Sequence, residues 1–238
     1  MKLLSTLNLE LGTLNLRWIV VILFSVACND GAAQIQQAWV ARYNNGITTG
    51  TNQAVKMALD NAGNIYVVGF SQNTNNQLGY VAIKYAPNGT QLWVARYDST
   101  NYPSATPAGL ALDSSNNVAV TGSALTAKYD ANGNQLWTAP YAGTTLAEDS
   151  LGNSYVGGFS QDFGTVKLSP QGSNVWLNTY VETYGPTVSQ SVLVDSGKNV
   201  YVSGLDSYDS FTNNGMLYGP YVLSITHKYW TQNEICCE

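Results

Sequence analysis

A tryptophan followed four residues later by a tyrosine recurs along the chain, at Trp39/Tyr43, Trp93/Tyr97, Trp137/Tyr141 and Trp176/Tyr180. Two further landmarks recur between these pairs with fixed internal spacing. The first is Asp, Asn, Gly: Asp60/Asn64/Gly69, Asp113/Asn117/Gly122, Asp149/Asn153/Gly158 and Asp195/Asn199/Gly204. The second is Lys, Gly, Trp: Lys84/Gly89/Trp93, Lys128/Gly133/Trp137 and Lys167/Gly172/Trp176, with a fourth copy that begins at Lys228 and decays. Landmarks repeated at fixed spacing mean copies of one supersecondary unit. Each copy is too small to bury its own apolar face, so the copies must stack.

The landmarks separate short runs rich in Val, Ile, Tyr and Trp, bounded by Asn, Gly and Pro. Such runs read as strands of about five or six residues. In the first unit they fall at 54–59, 65–70, 80–85 and 91–97. Asn88-Gly89 and Asn132-Gly133 stand where the chain must reverse tightly, because both residue types tolerate positive φ. No run of helical periodicity follows position 35, and the glycine content opposes one. The expected fold is all-β, a β-propeller of four four-stranded antiparallel blades with units at 54–97, 108–141, 145–180 and 190–229. A β-sandwich is the competing architecture, but sandwich strands seldom repeat a motif at fixed spacing. A leading strand at 36–43 either completes the last blade, giving a closed monomer, or opens an incomplete arc of a larger propeller.

The run 58–69, Ala-Leu-Asp-Asn-Ala-Gly-Asn-Ile-Tyr-Val-Val-Gly, and the run 81–93, Val-Ala-Ile-Lys-Tyr-Ala-Pro-Asn-Gly-Thr-Gln-Leu-Trp, resemble the bacterial SBBP β-propeller repeat. The resemblance covers residues 36 to about 229 and is most specific in the first unit. It implies a secreted or surface-exposed propeller with no catalytic residues assigned to the repeat. It implies a fold and not a reaction.

Charged residues make up 11% of the 238-residue chain and the formal net charge is −5. A surface so poor in clustered Lys and Arg argues against nucleic acid as a partner. Residues 18–27 are apolar, preceded by Lys2 and Arg17 and followed by Gly31-Ala32-Ala33. Ten residues are too few to span a bilayer, which takes about 20, but fit the core of a secretory signal peptide. Residues 1–33 therefore read as a signal peptide cleaved after Ala33, and 34–238 as the propeller domain, secreted or at the cell surface. The alternative rests on Ser25-Val26-Ala27-Cys28, which resembles a lipobox and would make Cys28 a lipidated anchor to the membrane. Cys236 and Cys237 are adjacent at the end of the chain and supply no disulfide framework.

Candidate chemistry is sparse. The single histidine, His227, lies in the decayed fourth copy and is too isolated for a triad or a zinc site. Asp60, Asp113, Asp149 and Asp195 occupy the repeated turn position, where a carboxylate fixes a reversal by accepting backbone N–H groups. Calcium is the rival at Asp130 and Asn132, whose spacing is that of a calcium loop without its closing Glu. The Gly-x-x-x-Trp pattern also suggests quinoprotein blades, but no cofactor cage accompanies it, and the aromatic residues read as packing between blades. No catalytic constellation and no cofactor are assigned.

The intervals point to function. The stretches from Trp to the next Asp, and from the landmark Gly to the next Lys, differ from copy to copy, while the other two connections are fixed. In an up-and-down sheet alternate connections lie at opposite ends, so variation gathers at one end. The loops expected there carry Asn101, Tyr102, Tyr184, Tyr208, Phe211, Asn213, Asn214, Tyr218 and Tyr221. Tyr and Asn make adaptable contacts at modest ordering cost, which suits a surface glycan or protein partner. The competing function is a carbohydrate-active enzyme using Asp206 and Asp209. A truncated piece of a larger propeller protein is the third reading.

Overall fold

The computed structural model describes residues 37–47, 50–99, 101–159, 163–180, 187–208 and 217–225. Contacts divide the chain into residues 1–37, of which only Gln37 is described, and residues 38–238, which hold all the described strands. Among the described residues fifteen antiparallel strands form four sheets, each in chain order. Blade 1 is β1 (Asn52–Leu59), β2 (Ile65–Gln72), β3 (Leu78–Tyr85) and β4 (Gln91–Tyr97). Blade 2 is β5 (Pro107–Leu112), β6 (Val118–Gly122), β7 (Thr126–Tyr129) and β8 (Gln135–Ala139). Blade 3 is β9 (Thr145–Glu148), β10 (Ser154–Phe159), β11 (Phe163–Leu168) and β12 (Asn174–Tyr180). Blade 4 is described over β13 (Thr187–Val194), β14 (Val200–Tyr208) and β15 (Leu217–Ile225). The first strands contact in succession, β1 to β5, β5 to β9 and β9 to β13. This is the β-propeller arrangement.

Strand alternation sends neighbouring side chains to opposite faces, so each blade offers one apolar face forward and one backward. Tyr66, Val68, Tyr80 and Ala82 of blade 1 meet Val118, Val120, Ala127 and Tyr129 of blade 2. One blade on, Ala119 and Trp137 meet Val156, Val166 and Leu168. Between blades 3 and 4, Tyr155 and Trp176 meet Val192, Val200 and Val202. The core is therefore a series of seams between sheets, where each fully buried Val or Leu contributes roughly 1.5–3 kcal/mol.

The tryptophan repeat has a specific role in these seams. The indole N–H of Trp93 donates to the Ala131 carbonyl of blade 2 at 3.0 Å, and that of Trp137 to Pro170 of blade 3 at 2.9 Å. Trp39 does the same to Pro87 of blade 1 at 2.9 Å. In each case the ring lies on the glycine two residues past the acceptor. A Cβ on Gly89, Gly133 or Gly172 would come within 2.7–2.8 Å of a ring carbon, and all three glycines have positive φ. The hairpin glycine is thus needed twice, for its backbone angle and for the bare surface it shows to the preceding tryptophan.

The other landmark glycine answers to a bulge. β1, β5 and β13 each slip register, between Ala54 and Lys56, Pro107 and Gly109, and Ser189 and Ser191. A bulge bends its strand and disrupts the ladder locally. A Cβ on Gly69 or Gly122 would collide with the Gln53 or Thr106 carbonyl there.

Two sequence expectations change. The segment 37–47, expected to begin as a strand over 36–43, takes no strand pairing. Trp39 and Tyr43 instead pack on Val81, Ile83 and Tyr85, the backward face of blade 1. The fourth lysine landmark, expected at Lys228, lies outside the described residues, while β14 continues past Gly204 and carries its pairing with β15 to Tyr208 and Leu217. The residue opposite Tyr201, where Lys84, Lys128 and Lys167 stand in the other blades, is Ser224.

Candidate functional site

The strand order puts the β1–β2 and β3–β4 turns at one end of blade 1, and the β2–β3 hairpin and the exit to β5 at the other. The same holds for blades 2 and 3, so the fixed turns share one end and the connections of varying length the opposite end.

At the fixed end the carboxylates are consumed by their own turns. Oδ1 of Asp60 accepts the Ala62 and Asn64 N–H groups and Oδ2 accepts the Asn64 side-chain amide at 2.8 Å. The pattern repeats at Asp113 with Ser115 and Asn117, and at Asp149 with Leu151 and Asn153. Asp195 binds Asn199 in the same way. Burial by itself would raise the Asp60, Asp113 and Asp149 carboxyls, but these N–H donors hold all three below the ordinary carboxylate value. Asp130 has the same geometry, accepting the Asn132 and Asn134 N–H groups on Oδ1 and the Asn134 amide on Oδ2. Its two oxygens face donors, the opposite of what a cation requires. Among the described residues no group of three or more His, Cys, Asp or Glu side chains could hold a metal ion.

The seam between blades 2 and 3 contains a charge cluster. Lys128, buried, lies 3.0 Å from Asp113 Oδ2 and 2.8 Å from Glu148 Oε2, and donates to the Gly152 carbonyl at 2.9 Å. All three ammonium protons are used. The Ser154 hydroxyl donates to the other Glu148 oxygen. Glu148 breaks the repeat: the residue before the turn Asp is Leu59, Leu112 and Val194 in the other copies. Burial pushes the Glu148 carboxyl up to about 7, against the pull of Lys128 and Ser154. A small cavity of about 220 Å³ opens beside Asp113, Lys128 and Pro170, but the ammonium is 1% exposed and closed off by its acceptors. The ammonium has no free donor, and the cluster has the make-up of a buried ion network.

The raised Glu148 sets a pH dependence. A carboxyl whose folded value exceeds its unfolded value of 4.5 binds its proton more tightly in the folded state. Its contribution to stability is full below the unfolded value and is lost as pH rises toward 7. Glu148→Gln is expected to flatten this loss, which amounts to roughly 1–3 kcal/mol between about pH 5 and pH 8. Urea denaturation of both proteins across that range measures it; parallel curves would contradict the assignment.

At the variable end the exit from blade 1 is held in place. Leu78 N–H donates to the Pro103 carbonyl at 2.8 Å and Ala105 N–H to the Leu78 carbonyl at 3.2 Å. Arg96 pairs with Asp98 at 2.7 Å and donates to the Ser71 carbonyl at 2.8 Å. Tyr102, anchored by its N–H on Ser99 Oγ, is 52% exposed, and Asn101 beside it is exposed too. A rigid base thus displays an aromatic side chain to solvent. Tyr208 ends β14 and Tyr218 lies in β15 opposite Ser207, so both belong to an extended hairpin rather than to a loop. Asp206 lies in β14 between Thr187 and Gly219, and Tyr221 pairs with Gly204. Tyr184, Asp209, Phe211, Asn213, Asn214, Cys28, Ala33 and His227 lie outside the described residues.

No family model matches the chain, and no curated protein matches it, so the SBBP-like motif stands as a resemblance of residues. Among solved structures, a protein of unknown function from Bacteroides caccae is similar at 14% identity and TM-score 0.49, over 83% of this chain and 62% of its own. A calcium-binding regucalcin from Agrobacterium tumefaciens is similar at 9% identity and TM-score 0.41, over 68% of this chain and 56% of its own. The chain therefore spans less than two thirds of either protein. Likeness at this level carries no function, and the fold stands on the strand pairing itself.

Proposed function

We propose that the chain is an exported β-propeller module that binds a glycan or protein at the cell surface through its variable end. The observation that supports this most is the contrast between the two ends. The Asp carboxylates at the fixed end are occupied by their turns, whereas Tyr102 and Asn101 stand exposed on a loop pinned to blade 1. Binding residues are commonly displayed by loops on a rigid scaffold. Tyr184, Tyr208, Phe211, Asn213, Asn214 and Tyr218 extend the proposed surface by their place in the sequence.

An array of surface glycans probed with the full chain tests this reading. Tyr102→Ala is expected to weaken any binding about tenfold, the effect of one interfacial aromatic. Replacement of Asp206 and Asp209 by Asn is expected to leave binding intact, with no glycan cleaved. Cleavage abolished by those two changes would establish a carbohydrate-active enzyme instead. Asp130 and Asn132 serve the turn in this reading, so added calcium leaves binding unchanged. Export rests on the apolar run 18–27 with its flanking charge and small residues. Mass spectrometry of the mature N-terminus distinguishes cleavage after Ala33 from lipidation at Cys28.

A further inference from the structure

Among the described residues no blade covers the backward face of blade 1. A groove of about 350 Å³ runs across it, lined by Met57, Ile65, Val67, Val81 and Ile83 beside Trp39. Ile65 and Val67 hold the sheet positions of Val118 and Val120 in blade 2, of Ser154 and Val156 in blade 3, and of Val200 and Val202 in blade 4. Those six residues are 0–2% exposed because the preceding blade covers them, whereas Ile65 and Val67 are half-buried and Met57 is 72% exposed. The first latch is nevertheless made, since Trp39 sits on Gly89 as Trp93 sits on Gly133.

The complementary face stands at the other end of the series. Tyr201 is the blade 4 counterpart of Tyr66 and Tyr155, which are 1% and 0% exposed within their seams, yet Tyr201 is 37% exposed. Its hydroxyl holds the turn carboxylate Asp195 at 3.2 Å, as Tyr155 holds Asp149 at 3.0 Å. The Tyr66 hydroxyl also reaches the Asn116 carbonyl in the next blade, at 3.4 Å. Tyr201 has the same shape and the same polar tip, and β13 makes no contact with β1 comparable to that of β1 with β5 or β5 with β9.

We propose that two copies of this chain associate head to tail, with blade 4 of each seated on the backward face of blade 1 of the other. The occupant is a second copy because the described residues of one chain carry both halves of the joint, exposed and complementary in residue type, and β13 does not join them to β1. The repeat supplies the template, since the same two faces already close three times within the chain. Blade 4 is described with three strands, and the segment carrying Trp39 stands where its outer strand and tryptophan would lie against blade 1. In the joint each Tyr201 hydroxyl approaches the Gly63 carbonyl of the second copy, the counterpart of Asn116. Two such joints close a ring of eight blades, the upper end of the usual propeller range of about four to eight, and a third copy would exceed it.

Sedimentation of the full chain from micromolar to hundreds of micromolar concentration tests this. The expected mass is twice the 25.6 kDa of one chain. Val67→Arg, which places a charge in the groove, and Tyr201→Arg, which removes the complementary aromatic, are each expected to give a folded single-copy species by circular dichroism. Mixed together, the two variants are expected to recover a two-copy species, because one joint combines the intact blade 4 of the first with the intact groove of the second. A single-copy mass for the unaltered chain throughout, a two-copy mass that survives both substitutions, or a mass of three or more copies would overturn the proposal.

Discussion

Lys128→Met is expected to cost about 3–5 kcal/mol of folding stability, a large part of the roughly 5–15 kcal/mol that holds a domain of this kind together. The substitution keeps the length and apolar character of the stem, so the seam between blades 2 and 3 stays filled. What it removes is the ammonium shared by Asp113, Glu148 and the Gly152 carbonyl. Two buried carboxylates are left without the cation they share. Glu148, whose burial already favours its protonated form, can take up a proton and relieve part of the strain. The loss is therefore smaller near pH 5 and larger near pH 8. Denaturant unfolding at the two pH values measures it. Lys56→Met, at an exposed position on β1, is the control and is expected to change stability by less than about 0.5 kcal/mol. Equal effects at the two positions would contradict the buried network.

Gly133→Ala is expected to cost about 3 kcal/mol through two separable terms. An L-residue at the φ of 88° found there is disfavoured by roughly 1–2 kcal/mol. The new methyl would also lie 2.8 Å from the Trp93 ring, and backbone geometry leaves it nowhere to turn. Trp93 must then move, giving up its hydrogen bond to Ala131 and part of its contact with Tyr66. A lost hydrogen bond of this kind is worth about 1 kcal/mol. Gly46→Ala, which has a similar φ with nothing near its Cβ, carries the backbone term alone. A melting-temperature comparison of the two variants separates steric from conformational cost.

The blades were legible in the sequence because their landmarks are tied to the backbone. A turn Asp, a hairpin Gly and a packing Trp each hold a fixed place relative to hydrogen-bonded strands, so spacing alone locates Asp60, Gly89 and Trp93. The partner of each tryptophan was not legible. Spacing relates residues within a unit, while Trp93 acts on Gly133 in the next, a relation that only stacking creates. The burial of Lys128 escaped for a similar reason, since a repeated lysine reads as a surface residue until its acceptors in the next blade are known. One signal was available: Glu148 interrupts a column otherwise made of Leu59, Leu112 and Val194. The fourth unit departs from the spacing of the other three. Lys228 continued the lysine series in sequence, but the cross-strand register of β14 and β15 puts Ser224 there. At the candidate site, the separation of fixed and variable ends follows from strand alternation and was readable. That Tyr208 and Tyr218 lie in strands was not, because Asn, Gly and Tyr over 205–221 read as a loop while the ladder extends to Tyr208 and Leu217.

The account holds that the tryptophan repeat joins blade 1 to blade 2 and blade 2 to blade 3 through the bare surface of a hairpin glycine. A double-mutant cycle between Trp93 and Gly133, followed by denaturant unfolding, tests this most directly. With Trp93→Ala already in place, Gly133→Ala is expected to cost only its backbone term, roughly 1–2 kcal/mol, which gives a coupling of about 1–2 kcal/mol between the two positions. Additive costs, with Gly133→Ala equally damaging whether or not the indole is present, would contradict the latch.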